Sequence, residues 1–250
     1  SRQTCRVLRH NEHAHLDALL AAEDPALPKL VAFESLYSMD GDIAPLADLL
    51  AVAKRHGALT FVDETHAVGV HGPRGGGLLE AHGLLDAADL VQGGLGKGVG
   101  VVGGFVTGSS PIIDFVRSHA PGFIFTTALP PHVAAAALAS VRHLKASGSE
   151  RAALFARVVS VRAALGSVGV PVTPTASQIL PLMVGAAADC HALADELLEV
   201  HGIYLQAIVH PTVPRDGARL RITPGPLHTD GDAAHLVASL AAVLSRRRAA

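Results

Sequence analysis

Short apolar runs of strand length alternate along this sequence with segments whose apolar residues recur at helical spacing, and that alternation limits the fold more than any other feature. "KLVAFES" (29–35) reads as a buried strand. Pro45 opens a helix with Leu46, Leu49, Leu50 and Ala53 on one face, and Gly57 stops it, the usual order of proline in and glycine out. "LTFVD" (59–63) is the next strand, with "DLVQG" (89–93) and "VVGGFVTG" (101–108) after it. Units of this kind build an α/β fold on a mostly parallel sheet, where sites collect at the carboxyl ends of the strands. Asp63 stands at such an end.

After Pro130 the character changes. Helical stretches over roughly 131–147 and 149–166 lead into a smaller α+β part. Asp189 is placed to cap a helix carrying Leu193, Leu197 and Leu198, which Gly202 ends. "ARLRIT" (218–223) is a short strand. Thr229 and Asp232 have the spacing of a capping box before a last helix with Leu236, Leu240, Val243 and Leu244 inward. The expected organisation is a large domain over 1–150, incomplete at its N-terminal side, and a small α+β domain over 151–250.

Composition narrows the function. With 250 residues, 49% hydrophobic and 17% charged, the chain has ample core. A net charge of −2 recommends neither nucleic acid nor an anionic membrane as a partner. Cys5 and Cys190 lack CxxC spacing, which argues against a disulfide framework or a zinc site. No apolar run is long enough to span a bilayer and no signal peptide is visible, so a cytoplasmic location is expected. The chain opens "SRQTCRVLRHN" without an initiator Met, as if cut from something longer. His10, His13 and His15 fit no standard ligand spacing and read as surface histidines, so no metal is expected.

The chemistry concentrates in two segments. "ALTFVDETHAVGVHGPRGGG" (58–77) delivers Asp63, Glu64 and His66 from a strand end into a glycine-rich loop. An unpaired carboxylate there loses solvation, so a cationic or polarisable partner is expected. Glu64 reads as structural or solvated. "GGLGKGVGVVGG" (93–104) is not a P-loop, because Gly98 follows Gly96-Lys97 and Val91 occupies the leading position. Nor is it a dinucleotide fingerprint, since a strand follows the glycines. What remains is Lys97 between glycines that let other backbone come close.

Each residue also has a plain reading. Lys97 alone is a loop lysine reaching solvent, His66 a satisfied loop histidine, and Arg221 a surface arginine on an edge strand. Taken together they suggest pyridoxal phosphate, whose ring nitrogen wants an anionic partner and whose aldehyde wants an amine. Asp63 and Lys97 meet those two needs, and His66 is placed to hydrogen-bond the ring oxygen.

Five ordered segments carry a resemblance: "FESLYSMDGDIAPL", "VDETHAVGVHGPRGGG", "GGLGKGVGVVGG", "RSHAPGFIFTTALPP" and "PTVPRDGARLRITPGPLHT". The sequence resembles the α-oxoamine synthases from about Arg9 to Leu244, and "APGFIFTT" and "RLRITP" favour their 5-aminolevulinate synthase branch. The resemblance implies a fold-type-I, pyridoxal-phosphate-dependent acyltransferase. It also implies a homodimer with shared active sites, condensing glycine with succinyl-CoA to a product for tetrapyrroles or for a specialised pathway. By that resemblance Lys97 is the Schiff-base lysine, Asp63 the pyridine-nitrogen partner and His66 the group near the ring oxygen. Ser38 contacts the cofactor, and Thr126 and Thr127 reach its phosphate across the dimer. Arg221 grips the amino-acid carboxylate with its bidentate fork, and Thr212 contacts the acyl-CoA.

The sequence departs from the family in three places. An N-terminal part is missing that carries the aromatic residue stacked on the ring and most acyl-CoA contacts. Three residues before Lys97, where the family places a threonine whose hydroxyl meets the phosphate, stands Gly94. Cys5 takes the place of a lysine near the acyl-CoA site. Two other readings therefore stand beside the first: a sister synthase using another acyl-CoA, and a truncated, non-catalytic homologue acting as an interaction subunit.

Overall fold

The computed structural model describes residues 4–249. The chain divides into two compact units, Ser1–Leu36 with Ile43–Gly148, and Tyr37–Asp42 with Ser149–Ala250.

The first unit begins with α1 (His13–Ala21), β1 (Leu30–Glu34), α2 (Leu46–Arg55) and β2 (Leu59–Asp63). It continues with the short α3 (Leu78–Ala81), then β3 (Leu90–Gly94) and β4 (Gly104–Gly108), and ends with α4 (Ser110–His119), α5 (Pro121–Ile124) and α6 (Pro131–Ala146). The sheet order is β1-β2-β3-β4; the first three strands run parallel and β4 closes antiparallel onto β3. Parallel pairing needs a crossover, and α2 supplies it between β1 and β2. All four expected core residues of α2 are buried, joined by Val52. The helix ends at Gly57, whose φ of 62° favours glycine. Register aligns Glu34, Asp63 and Gln92 in one row at the carboxyl ends of the parallel strands. The row places β2's acidic end between two neighbours rather than at an edge.

The last part of this unit is uncovered. β4 is exposed along its whole length, and α4, α5 and α6 carry no buried residue. Phe115, Phe123, Ile124 and Phe125 are among its exposed apolar side chains.

The second unit contains α7 (Ser149–Ser167), β5 (Leu180–Gly185), α8 (Ala187–His201), β6 (Gln206–Ile208), β7 (Ala218–Ile222) and α9 (Asp230–Ala249). Its sheet is antiparallel in the order β5-β7-β6. β7 is therefore the central strand, which corrects the edge-strand reading of Arg221. Asp189 lies in the first turn of α8 rather than capping it; the N-cap is Ala186, without a side-chain cap bond. Leu193 and Leu197 are buried on that helix as expected, but Leu198 is 48% exposed, because it lies off the inward stripe. Gly202 ends α8 in the left-handed conformation. The capping box before α9 is formed: the Asp232 carboxylate accepts the Thr229 N–H at 2.7 Å, and Thr229 Oγ1 accepts the Asp232 N–H at 3.1 Å. Leu240 and Val243 are buried on α9, together with Val237; Leu236 and Leu244 are half-buried.

Two arginines of β7 hold the Tyr37–Asp42 segment. Arg219 pairs with Asp40 at 2.6 Å and donates to the Met39 carbonyl at 3.1 Å, while Arg221 donates to the Ser38 carbonyl at 2.9 Å. Gly41 sits beside Ile179, where an added Cβ would lie 2.8 Å from a backbone oxygen. Backbone approach that close leaves no room for another residue.

Candidate active site

The end of β2 opens directly into a helical turn. The Asp63 carbonyl accepts the Ser35 N–H at 2.9 Å, and the Gln92 carbonyl accepts the Glu64 N–H at 2.8 Å, so both flanking strands hold this corner. Asp63 is half-buried, and its Oδ1 accepts the Thr65 N–H at 2.7 Å. That local ring fixes the carboxylate's orientation, the usual behaviour of aspartate at a turn.

Glu64 is fully buried and structural, not solvated. It accepts hydrogen bonds from the Ser35 hydroxyl at 2.8 Å and from the Leu78 and Leu79 N–H groups at 2.9 and 2.6 Å. The two amides open α3, so Glu64 supplies acceptors that a four-residue helix cannot provide itself. Burial pushes its carboxyl above the usual value; the three donors oppose that push only in part. Glu80 plays a similar part on the glycine-rich loop, accepting the Arg74 and Gly76 N–H groups at 3.1 and 2.8 Å.

His66 follows Thr65 within the turn, with its side chain 14% exposed and Nδ1 3.9 Å from Glu34. Beyond it, Gly69 meets the lysine loop. A Cβ on Gly69 would lie 2.8 Å from the Gly98 Cα, and one on Gly98 would overlap the Val68 carbonyl oxygen. Backbone therefore rests on backbone immediately after Lys97, which presses that loop onto the turn carrying His66. The glycine before the lysine is different: a Cβ on Gly96 would meet nothing nearer than 3.9 Å. Of the two glycines flanking Lys97, only the second is demanded by packing. The loop closes on itself through Leu95 N–H to Gly103 and Val101 N–H to Leu95, each 2.9 Å, and leaves Lys97 exposed.

Thr126 and Thr127 lie in the exposed segment between α5 and α6, with Thr126 Oγ1 donating to Phe123 at 3.3 Å. In the second unit, Ser38 and Arg221 are half-buried and joined as described, and Thr212 is exposed between β6 and β7. His15 accepts the Arg9 N–H at 3.0 Å, His13 faces Asp48 at 3.9 Å and His10 bonds Asn11 at 3.3 Å, so each has its own partner.

The profile of the family described as aminotransferase class I and II matches residues 3–240. The chain belongs to that family. Among curated members and relatives, 5-aminolevulinate synthase of Rhizobium meliloti (strain 1021) is 52% identical over 240 residues, covering 96% of this chain and 59% of the relative. The human erythroid-specific mitochondrial 5-aminolevulinate synthase is 49% identical over 225 residues, covering 89% of this chain and 38% of the relative. Among solved structures, a serine palmitoyltransferase from S. paucimobilis with a bound pyridoxal phosphate–myriocin adduct superposes with a TM-score of 0.88 at 36% identity. That match covers 94% of this chain and 59% of the other. An 8-amino-7-oxononanoate synthase from Francisella tularensis shares the fold at a TM-score of 0.80 and 23% identity. The fold is accordingly the fold-type-I α/β architecture of this transferase family. The chain spans about 59% of the length of the Rhizobium meliloti relative.

The donor set at the strand ends fits pyridoxal phosphate. An oriented carboxylate and an imidazole share one turn, and the loop that carries Lys97 rests its Gly98 backbone on Val68 and Gly69, an approach that admits no side chain at either glycine.

Proposed function

We propose that this family member acts as a 5-aminolevulinate synthase, condensing glycine with succinyl-CoA to give 5-aminolevulinate, CoA and CO2. The observation that carries the reading is the backbone packing of Gly98 on Val68 and Gly69, which fixes the lysine loop beside the Asp63–His66 turn. Similarity to proteins named 5-aminolevulinate synthase supports the choice of substrates.

Bound pyridoxal phosphate would supply an electron sink for the carbanion at the glycine α-carbon. Lys97 would hold the cofactor, and its amine would take the glycine α-proton; one positioned amine acting as general base contributes about 10²–10⁴-fold. Asp63 keeps a proton on the ring nitrogen, and its bond from the Thr65 N–H holds it in place for that task. His66 donates to the ring oxygen. Arg221 takes the glycine carboxylate, Ser38 contacts the cofactor, and Thr212 contacts the acyl-CoA. Thr126 and Thr127 serve the cofactor phosphate of a second subunit. Support for the homodimer comes from the uncovered β4 and the exposed Phe115, Phe123 and Phe125. A cytoplasmic location completes the proposal; among the described residues, no helix is long and apolar enough to cross a membrane.

The experiment is a visible-absorbance titration of the chain with pyridoxal phosphate beside Lys97→Ala, followed by CoA release from glycine with a panel of acyl-CoA thioesters. A saturable band that needs Lys97, with succinyl-CoA preferred, is expected. A band shared by the alanine variant refutes the cofactor role. Preference for a different thioester moves the chain to a sister synthase.

A further inference from the structure

Position 94 ends β3 opposite the Asp63 turn, and it carries no side chain. Thr65 explains why. A Cβ at position 94 would lie 2.7 Å from Thr65 Cγ2 and 3.3 Å from Thr65 Oγ1. The first distance is shorter than real carbon contacts allow, so a side chain at 94 and the observed Thr65 conformation exclude each other.

Thr65 is held in that conformation. Its Oγ1 accepts the Gly94 N–H at 3.0 Å and a Gln92 Nε2 hydrogen at 3.2 Å. Both acceptor positions of the hydroxyl are therefore engaged, and the O–H itself donates to no described residue. A donor with its oxygen pinned and its proton unspent suits an anionic acceptor. The same residue's amide orients Asp63. One residue thus joins the carboxylate end of β2 to the glycine end of β3.

We propose that Thr65 supplies the hydroxyl that binds the phosphate of pyridoxal phosphate in this chain, in the space a side chain at position 94 would otherwise fill. The inference rests on the cofactor reading above. It assigns a phosphate contact to a turn residue and accounts for Gly94 as a steric consequence rather than a loss of function. Thr65 Cβ lies 3.6 Å from where a Cβ at 94 would stand, ordinary van der Waals contact, so removing only the outer atoms of Thr65 makes room for a threonine at 94.

The test compares dissociation constants for pyridoxal phosphate and for pyridoxal, which lacks the phosphate, read from the visible band and from the ³¹P resonance of the bound cofactor. Thr65→Val is expected to weaken pyridoxal phosphate about tenfold or more, the value of one charge-assisted hydrogen bond, while leaving pyridoxal unchanged. Thr65→Ser, which keeps the hydroxyl, should stay within about threefold of the parent on this scale. Gly94→Thr alone should lose affinity and stability, and adding Thr65→Ala should restore most of both. Equal weakening of the two ligands by Thr65→Val, or no weakening, overturns the assignment while leaving the cofactor reading intact. Gly94→Thr that is tolerated in the presence of Thr65 also overturns it. A parent chain with no Lys97-dependent band fails the cofactor reading itself, and this inference with it.

Discussion

Alanine at position 98 should damage the protein and alanine at position 96 should not. The two substitutions add the same methyl group on either side of Lys97. At 98 the methyl overlaps the Val68 carbonyl oxygen and lies 2.9 Å from the Gly69 Cα. Both obstacles are backbone, so neither can swing aside and the loop must lift. Overpacking of this kind costs about 1–3 kcal/mol. At 96 the methyl meets only the Val101 oxygen at 3.9 Å, and φ there is not in the left-handed region. Its effect should stay within about 0.5 kcal/mol, with a small gain from a stiffer unfolded chain. A loop displaced by about 1 Å also costs on the order of 10²-fold in a reaction that depends on the lysine's placement. Urea denaturation measures the first consequence, and the Lys97-dependent pyridoxal phosphate band, with CoA release where turnover is detectable, measures the second. Equal stability and equal bands in Gly98→Ala and Gly96→Ala would refute the claim that this packing places Lys97.

Substitutions at three further residues, Glu64, Thr229 and Arg221, have their own expected outcomes. Glu64→Ala leaves the Ser35 hydroxyl and the Leu78 and Leu79 amides without their buried acceptor, a loss of about 3 kcal/mol or more in equilibrium unfolding. Because burial raises the Glu64 pKa, its contribution is fully present below its ordinary 4.5 and is lost as pH rises through the raised value; Glu64→Gln should flatten that part of the stability–pH curve. Thr229→Ala should lower Tm by a few degrees through loss of the α9 cap. Bonds from the Thr229 N–H and hydroxyl hold the Asp232 carboxyl below its ordinary 3.8, so the difference between parent and variant should shrink as pH falls through that lowered range. Arg221→Lys should raise KM for glycine about tenfold or more with a smaller change in kcat, since an ammonium lacks the bidentate fork; an unchanged KM would remove Arg221 from the substrate role.

Local chemistry made much of the fold legible. β2 could be placed because "LTFVD" is an apolar run with a clear end, and α2 because proline and glycine bracket its stripe. The Thr229–Asp232 box was visible for the same reason: its partners lie three residues apart. Asp189 and Leu198 were misplaced by a turn or a face on one helix, while two other shortfalls involve partners far apart in sequence. Arg221 looked like an edge residue because nothing near it shows that β6 and β5 flank β7. Glu64 could not be assigned without the amides of α3, fourteen and fifteen residues away. In the site, the roles of Asp63, His66 and Lys97 could be suggested from residue type and the glycine pattern. That only Gly98 of the two flanking glycines is required, and that Gly94 answers to Thr65, are facts of close approach between separate segments. Periodicity carries no trace of such contacts.

The most direct test of the account is to bind pyridoxal phosphate to the chain, reduce the complex with borohydride, and locate the pyridoxyl group by peptide mass spectrometry. The pyridoxyl group is expected on Lys97 and not on Lys29, Lys54 or Lys145. Modification spread over those other lysines, or absent from Lys97, would contradict it.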